Sequence, residues 1–291
     1  MFSACDVKTL REKTGAGMLD CKKALEACEG NIDQAIDWLR EKGIAKAQKK
    51  GDRIAAEGLS QIFTNGNKAV ILEVNSETDF VSRNDEFKNF VNTLGETILN
   101  SSAKDMDEAL SLEVNGGTLS DLVVSITAKI GEKISFRRFS VLEKSENQNF
   151  GSYLHMGGKI ASLVLIEGGC EEVAKEVAMH SAAMRPLYVN STEVPEEVLE
   201  KEKNIMRQEL LNEGKPADKI ENILVGKVRK YYEDVCLENQ IFVKAENKET
   251  VGKYLENNGA KLVTMIRFEV GEGIEKRQDN FAEEVMSQIN G

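Results

Sequence analysis

Residues 59–74 read LSQIFTNGNKAVILEV, and the fold turns on how this stretch is read. Leu59 to Phe63 and Ala69 to Val74 read as two strands parted by Asn65-Gly66-Asn67. Asn-Gly between two such runs is the strongest short-range hairpin signal, because the tight turn needs residues that accept positive φ. The period then changes. Asn75 to Ser82 reads as a loop, with Ser82 or Asn84 placed to cap the next helix. From Asn84 to Leu99, Phe87, Phe90, Val91 and Leu94 share one helical face. A second helix is expected over Leu119 to Ile130 and a strand over Ile134 to Val141. That order recurs. Tyr153-Leu154-His155 and Lys159 to Ile166 predict a hairpin across Gly157-Gly158, followed by a helix from Glu171 to Met184 and a strand from Leu262 to Val270. Arg267-Phe268-Glu269-Val270 echoes Arg138-Phe139-Ser140-Val141. Two copies of a hairpin-helix-strand unit, about 57–143 and 150–270, predict an α+β fold of helices laid on small antiparallel sheets.

Upstream, residues 1–50 predict a three-helix bundle of the kind found in UBA-like binding modules. A glycine-rich turn, Thr14-Gly15-Ala16-Gly17, leads into helical spacing from Met18 to Cys28, and Gly30 is a natural stop. Asn31 caps the next helix, which buries Ile32, Ala35, Ile36 and Leu39 and is expected to stop at Gly43. Ile44 to Arg53 reads as a charged tether, helical or flexible. Within the second copy, Pro195 opens a polar helix to about Glu213, Gly214-Lys215-Pro216 breaks it, and a second helix runs from Ala217 to Val235. Two long helices with so short a link predict an antiparallel helical hairpin. It is expected either to project toward a partner or second copy, or to lie on its own domain. Residues 278–290 predict a final helix. The expected layout is a bundle and linker at 1–53, a core part at 54–148, a second core part at 149–270 carrying the insertion at about 188–236, and a C-terminal module at 271–291.

Composition narrows the function classes. The chain has 291 residues, 41% hydrophobic and 30% charged, as in globular proteins. No apolar run reaches the roughly 18 residues of a membrane span, and the first residues lack a secretion signal, so a cytoplasmic protein is expected. Five scattered cysteines without a CxxC fit a reducing compartment, and Cys21 and Cys28 read as core residues. Net charge is −11, which opposes binding to phosphate backbones. Residues 1–53 are the exception, with 11 Lys and Arg against 9 Asp and Glu. The basic run from Lys42 to Arg53 has no interleaved aromatics, so no direct nucleic-acid contact is expected. Neither a phosphate loop nor a dinucleotide fingerprint is present. His155 and His180 lack a matched nucleophile, and no catalytic, metal or cofactor residue is assigned.

Thr78-Asp79-Phe80-Val81 sits between a strand and a helix. From the residues alone, Phe80 tucks into the local core and Asp79 caps a turn; the competing reading is a ring offered to another protein beside a carboxylate. A wider resemblance bears on this choice. The stretch with its preceding Ile71-Leu72-Glu73-Val74-Asn75, together with Thr14-Gly15-Ala16-Gly17-Met18, Asp20 to Leu25, Ala178-Met179-His180 and Ile266 to Lys276, resembles the elongation factor Ts family from residue 7 to 285. That resemblance implies a non-catalytic guanine-nucleotide exchange factor for elongation factor Tu. It implies that Thr78, Asp79, Phe80 and Val81 disturb the partner's magnesium site, and that Arg11, Met18 and Leu19 are further contacts; His155 is expected, apart from the resemblance, to be another partner contact. Leu19 stands where the family is expected to have methionine. The alternative is a UBA-type adaptor without exchange activity, and an enzyme ranks below both.

Overall fold

A computed structural model describes residues 2–14 and 16–275, with the backbone alone for Lys46. The chain opens with α1 (Ala4–Thr14), α2 (Met18–Ala27) and α3 (Ile32–Gln48). The hairpin β1 (Glu57–Asn65) and β2 (Lys68–Ser76) comes next, then α4 (Asp79–Arg83), α5 (Asp85–Leu99) and α6 (Met106–Ser111). After these come the two-residue strands β3 (Glu113–Val114) and β4 (Gly117–Thr118), then α7 (Leu119–Ile130) and β5 (Ser135–Glu143). The second half holds β6 (Gln148–His155), β7 (Ile160–Gly168), α8 (Glu171–Met184), α9 (Glu196–Asn212), α10 (Ala217–Val235), α11 (Val251–Asn257) and β8 (Ala260–Glu269). Two compact units result. One comprises the chain up to residue 59, residues 72–139 and the described residues from 270; the other comprises 60–71 and 140–269.

The hairpin is built as its residues dictate. Gly66, at φ +58°, turns the chain between β1 and β2. The two larger sheets have matching strand orders, β1-β2-β5 and β6-β7-β8, with the third strand beside the hairpin's second strand each time. In the second unit β6 and β7 pair antiparallel from Gln148 opposite Glu167 to His155 opposite Ile160. β8 pairs antiparallel with β7, slipping register between Leu165 and Ile166. β7 is buried on both faces, which explains its unbroken apolar run. Val164 and Ile166 pack with Val173 and Val177 of α8 and with Leu237, Phe242 and Leu255. Ala161, Leu163 and Leu165 pack with Phe150 and Phe268 on the other side.

In the first unit, Val7, Leu10, Cys21, Ala24, Leu25 and Ala35 form the core of the three-helix bundle. Gly30, at φ +86°, closes α2 by donating its N–H to the Leu25 carbonyl at 2.8 Å, and Asn31 caps α3 through the Gln34 N–H. Gly43 does not stop α3. The helix continues through it to Gln48, so the first part of the tether is helical. The physical reason is tertiary. α3 packs on α7, and a Cβ at Gly43 would lie 3.5 Å from that of Ala128, so the glycine faces a neighbour rather than a chain end. Arg40 pairs with Asp121 at 2.7 Å and Lys50 donates to the Thr127 carbonyl at 3.4 Å. An interior glycine costs a helix about 1 kcal/mol, which docking of this size offsets.

The expected loop over Asn75 to Ser82 is also shorter than read. β2 runs to Ser76, and α4 begins at Asp79. α6, β3, β4 and α11 were not anticipated. α9 and α10 fall where the breaks predict, and α10 runs back beside α9 through the pairs Arg207–Glu221 at 2.9 Å and Lys227–Glu209 at 3.0 Å. The expected helix over 278–290 lies outside the described residues.

A candidate partner-docking turn at residues 78–83

Val81 and Ser82 anchor the turn, since both are buried, and the Ser82 hydroxyl donates to the Asp79 carbonyl at 2.7 Å. Asn84 closes α4 by donating its N–H to the Val81 carbonyl at 3.0 Å, and its side chain caps α5 at the Glu86 N–H. Thr78 stands at the N-cap of α4 without capping it. Its N–H and hydroxyl both donate to the Glu132 carboxylate, at 3.0 and 2.7 Å. The preceding Glu77 accepts the Lys133 N–H at 2.6 Å and pairs with Arg53 at 3.3 Å. Lys133 Nζ in turn donates to the carbonyls of Gly51 and Arg53. Residues 77–78 are thus clasped to residues 132–133, immediately beyond the left-handed Gly131 that ends α7.

Phe80 points out of this frame. It is 79% exposed, and among the described residues no large apolar side chain is more so. The core-tucked reading of Phe80 is therefore corrected: the buried apolar residue of the turn is its neighbour, Val81. Asp79 does not cap a turn; its carboxylate pairs with Arg83 at 2.9 Å, one helical turn on.

The other expected contacts are also on the surface. Arg11 is exposed on α1, and Met18 and Leu19 open α2 with Leu19 74% exposed. His155 lies at the β6–β7 turn in the second unit, stacked on Tyr153 and beside the exposed Leu154 and Met156. Glu77, Glu132, Lys133 and Arg53 were missed by sequence reasoning. Only the glycine that ends α7 hinted that the chain turns sharply there. His180 is buried: the Val243 N–H donates to its Nδ1, so Nε2 carries the proton and donates to Gln240. Cys236 is buried too, and burial pushes its thiol up to about 11, the opposite of an activated nucleophile.

The family model for "Elongation factor TS" matches residues 77–272, beginning at the clasp and ending just past β8. The chain is 53% identical to "Elongation factor Ts" of Pediococcus pentosaceus over 99% of its own length and 98% of that protein. It is 51% identical to "Elongation factor Ts" of Limosilactobacillus fermentum over 99% of each. The chain belongs to the elongation factor Ts family. Membership makes it a translation elongation factor, acting in protein biosynthesis. Among the described residues no helix is long and apolar enough to cross a membrane.

Proposed function

We propose that the chain binds elongation factor Tu carrying GDP and promotes GDP release by disturbing the partner's Mg²⁺ and phosphate site, so that GTP can load. The single observation that supports this most is Phe80, 79% exposed beside Asp79 on a turn braced from both ends. A ring carried on a braced turn inserts with less backbone ordering at the moment of binding. A carboxylate brought near a metal ion or phosphate perturbs the partner's charges directly. Arg11, Met18 and Leu19 on the helical bundle, a UBA-like module in this reading, and His155 add contacts that hold the wedge in place.

Linkage makes the reading quantitative. A factor that prefers the nucleotide-free partner must weaken nucleotide binding by the same factor by which nucleotide weakens its own. The chain acts here as a protein partner, not as a catalyst of covalent chemistry. The test is to immobilise the chain and measure binding of elongation factor Tu, empty and GDP-loaded. Tight capture of the empty form, reversed by added GDP, is expected. Equal affinity for the two forms favours an adaptor instead.

A further inference from the structure

We propose that Glu132 is a positioning residue for Phe80: it sets the angle at which the ring leaves the surface, and through it the rate at which the chain discharges nucleotide from its GTPase partner. This role rests on the exchange reading above. Both carboxylate oxygens of Glu132 are engaged on one residue, Oε2 by the Thr78 N–H at 3.0 Å and Oε1 by the Thr78 hydroxyl at 2.7 Å. Hydrogen bonds to an ionised acceptor are the stronger kind, and two on one residue fix both its backbone and its side-chain rotamer. Thr78 is the N-cap of α4, yet its hydroxyl is turned to Glu132 instead of the helix. α4 has five residues, far too few to hold a helical turn by itself. Its direction is therefore imposed by its ends, and Phe80 lies between the Thr78 anchor and the buried Val81 and Ser82.

The clasp also separates positioning from folding. Glu77 takes the Lys133 N–H at 2.6 Å independently of Glu132. Without the Glu132 carboxylate the segment stays attached through that bond and through the Ser76 hydroxyl, which donates to the Thr78 carbonyl at 2.9 Å; Val81 and Ser82 stay buried, and the Thr78 N–H and hydroxyl lose their common acceptor. The angle of Phe80 is lost while the surface around it is kept.

The experiment uses the full chain and its Glu132→Ala, Phe80→Ala and doubly substituted variants. Release of fluorescent GDP from elongation factor Tu is followed as the concentration of the chain rises. Amide hydrogen exchange is followed at residues 79–84 in the chain alone. Glu132→Ala is expected to speed that exchange and to lower the maximal release rate about tenfold, equivalent to about 1.4 kcal/mol. The concentration for half-maximal rate is expected to move by less than about threefold, since the contact surface is intact. In the Phe80→Ala background the same change is expected to cost less than about twofold, because a residue acting through Phe80 has nothing left to position. Should Glu132→Ala fail to melt cooperatively, Glu132→Gln, which weakens the clasp by removing its charge, carries the same comparison. An equal loss in both backgrounds, unchanged amide exchange, or a Glu132→Ala chain as fast as an active wild type overturns the role of Glu132. An inert wild type overturns the exchange reading itself, and with it this role.

Discussion

Phe80 carries the functional claim, and its exposure makes a prediction about the isolated chain. A ring that touches little in the free protein contributes little to its folding, so Phe80→Ala is expected to move stability by no more than about 0.5 kcal/mol by urea unfolding. A loss of several kcal/mol would mean that the ring is structural. His180 is the opposite case. Burial holds its pKa below the usual value near 6.5, and the Gln240 carbonyl opposes the shift only in part. Its Nδ1 accepts the Val243 N–H, so protonation there would set two donors against each other. The unfolded chain then binds the extra proton more readily than the folded one, and stability must fall as pH drops below about 6.5. Melting at pH 7.5 and 5.5 is expected to show that fall, and a His180→Asn variant is expected to show less of it. Neither residue was fully legible in the sequence. Phe80 among polar neighbours reads from the residues alone as a tucked ring, and what overturns that reading is the burial of Val81 in its place, a tertiary fact.

Among the elements, two glycines make opposite predictions. Gly43 lies inside α3, and an added Cβ meets Ala128 of α7 at 3.5 Å, an ordinary contact. Gly43→Ala is therefore expected to stabilise the chain by roughly 0.5–1 kcal/mol, the helix-propensity gain. Gly151 on β6 is different: a Cβ there would sit 2.0 Å from the Ala174 carbonyl of α8, so the helix must lift off the sheet. Gly151→Ala is expected to cost roughly 1–3 kcal/mol, as overpacking does. Urea unfolding of both variants checks the signs. The hairpins, α7, α8, α9 and α10 were legible because period, Asn-Gly, Gly-Gly and Gly-Lys-Pro breaks agree locally. The continuation of α3 through Gly43 was not, because glycine signals a stop until a second helix is found facing it. The same packing extends toward the wedge. α3 lies on α7, α7 ends at Gly131, and Glu132 and Lys133 then hold residues 77–78.

Across the whole molecule, the longest-range polar contact falls on Glu73. It is fully buried on β2, and it accepts from Arg137 at 2.9 Å, Arg138 at 2.6 Å and the Gly271 N–H at 2.9 Å. That last bond spans 198 residues and ties the chain after β8 into the first unit. Removing one partner of a buried ion pair leaves uncompensated charge. Glu73→Ala is expected to destabilise toward the low end of roughly 3–5 kcal/mol, since both arginines keep some access to water. A carboxylate in the run Ile71-Leu72-Glu73-Val74 gives no sign in sequence of partners so far away. The family, by contrast, was readable from motifs spread along the chain. The most direct test of the exchange claim is stopped-flow release of fluorescent GDP from elongation factor Tu with wild-type chain, Phe80→Ala and Asp79→Ala. Burying one Phe contributes roughly 1.5–3 kcal/mol, so wild type should accelerate release strongly and Phe80→Ala should lose about ten- to a hundredfold of it, with a loss in Asp79→Ala as well. Release that no chain accelerates, or that both variants accelerate as well as wild type, would contradict the wedge at Phe80.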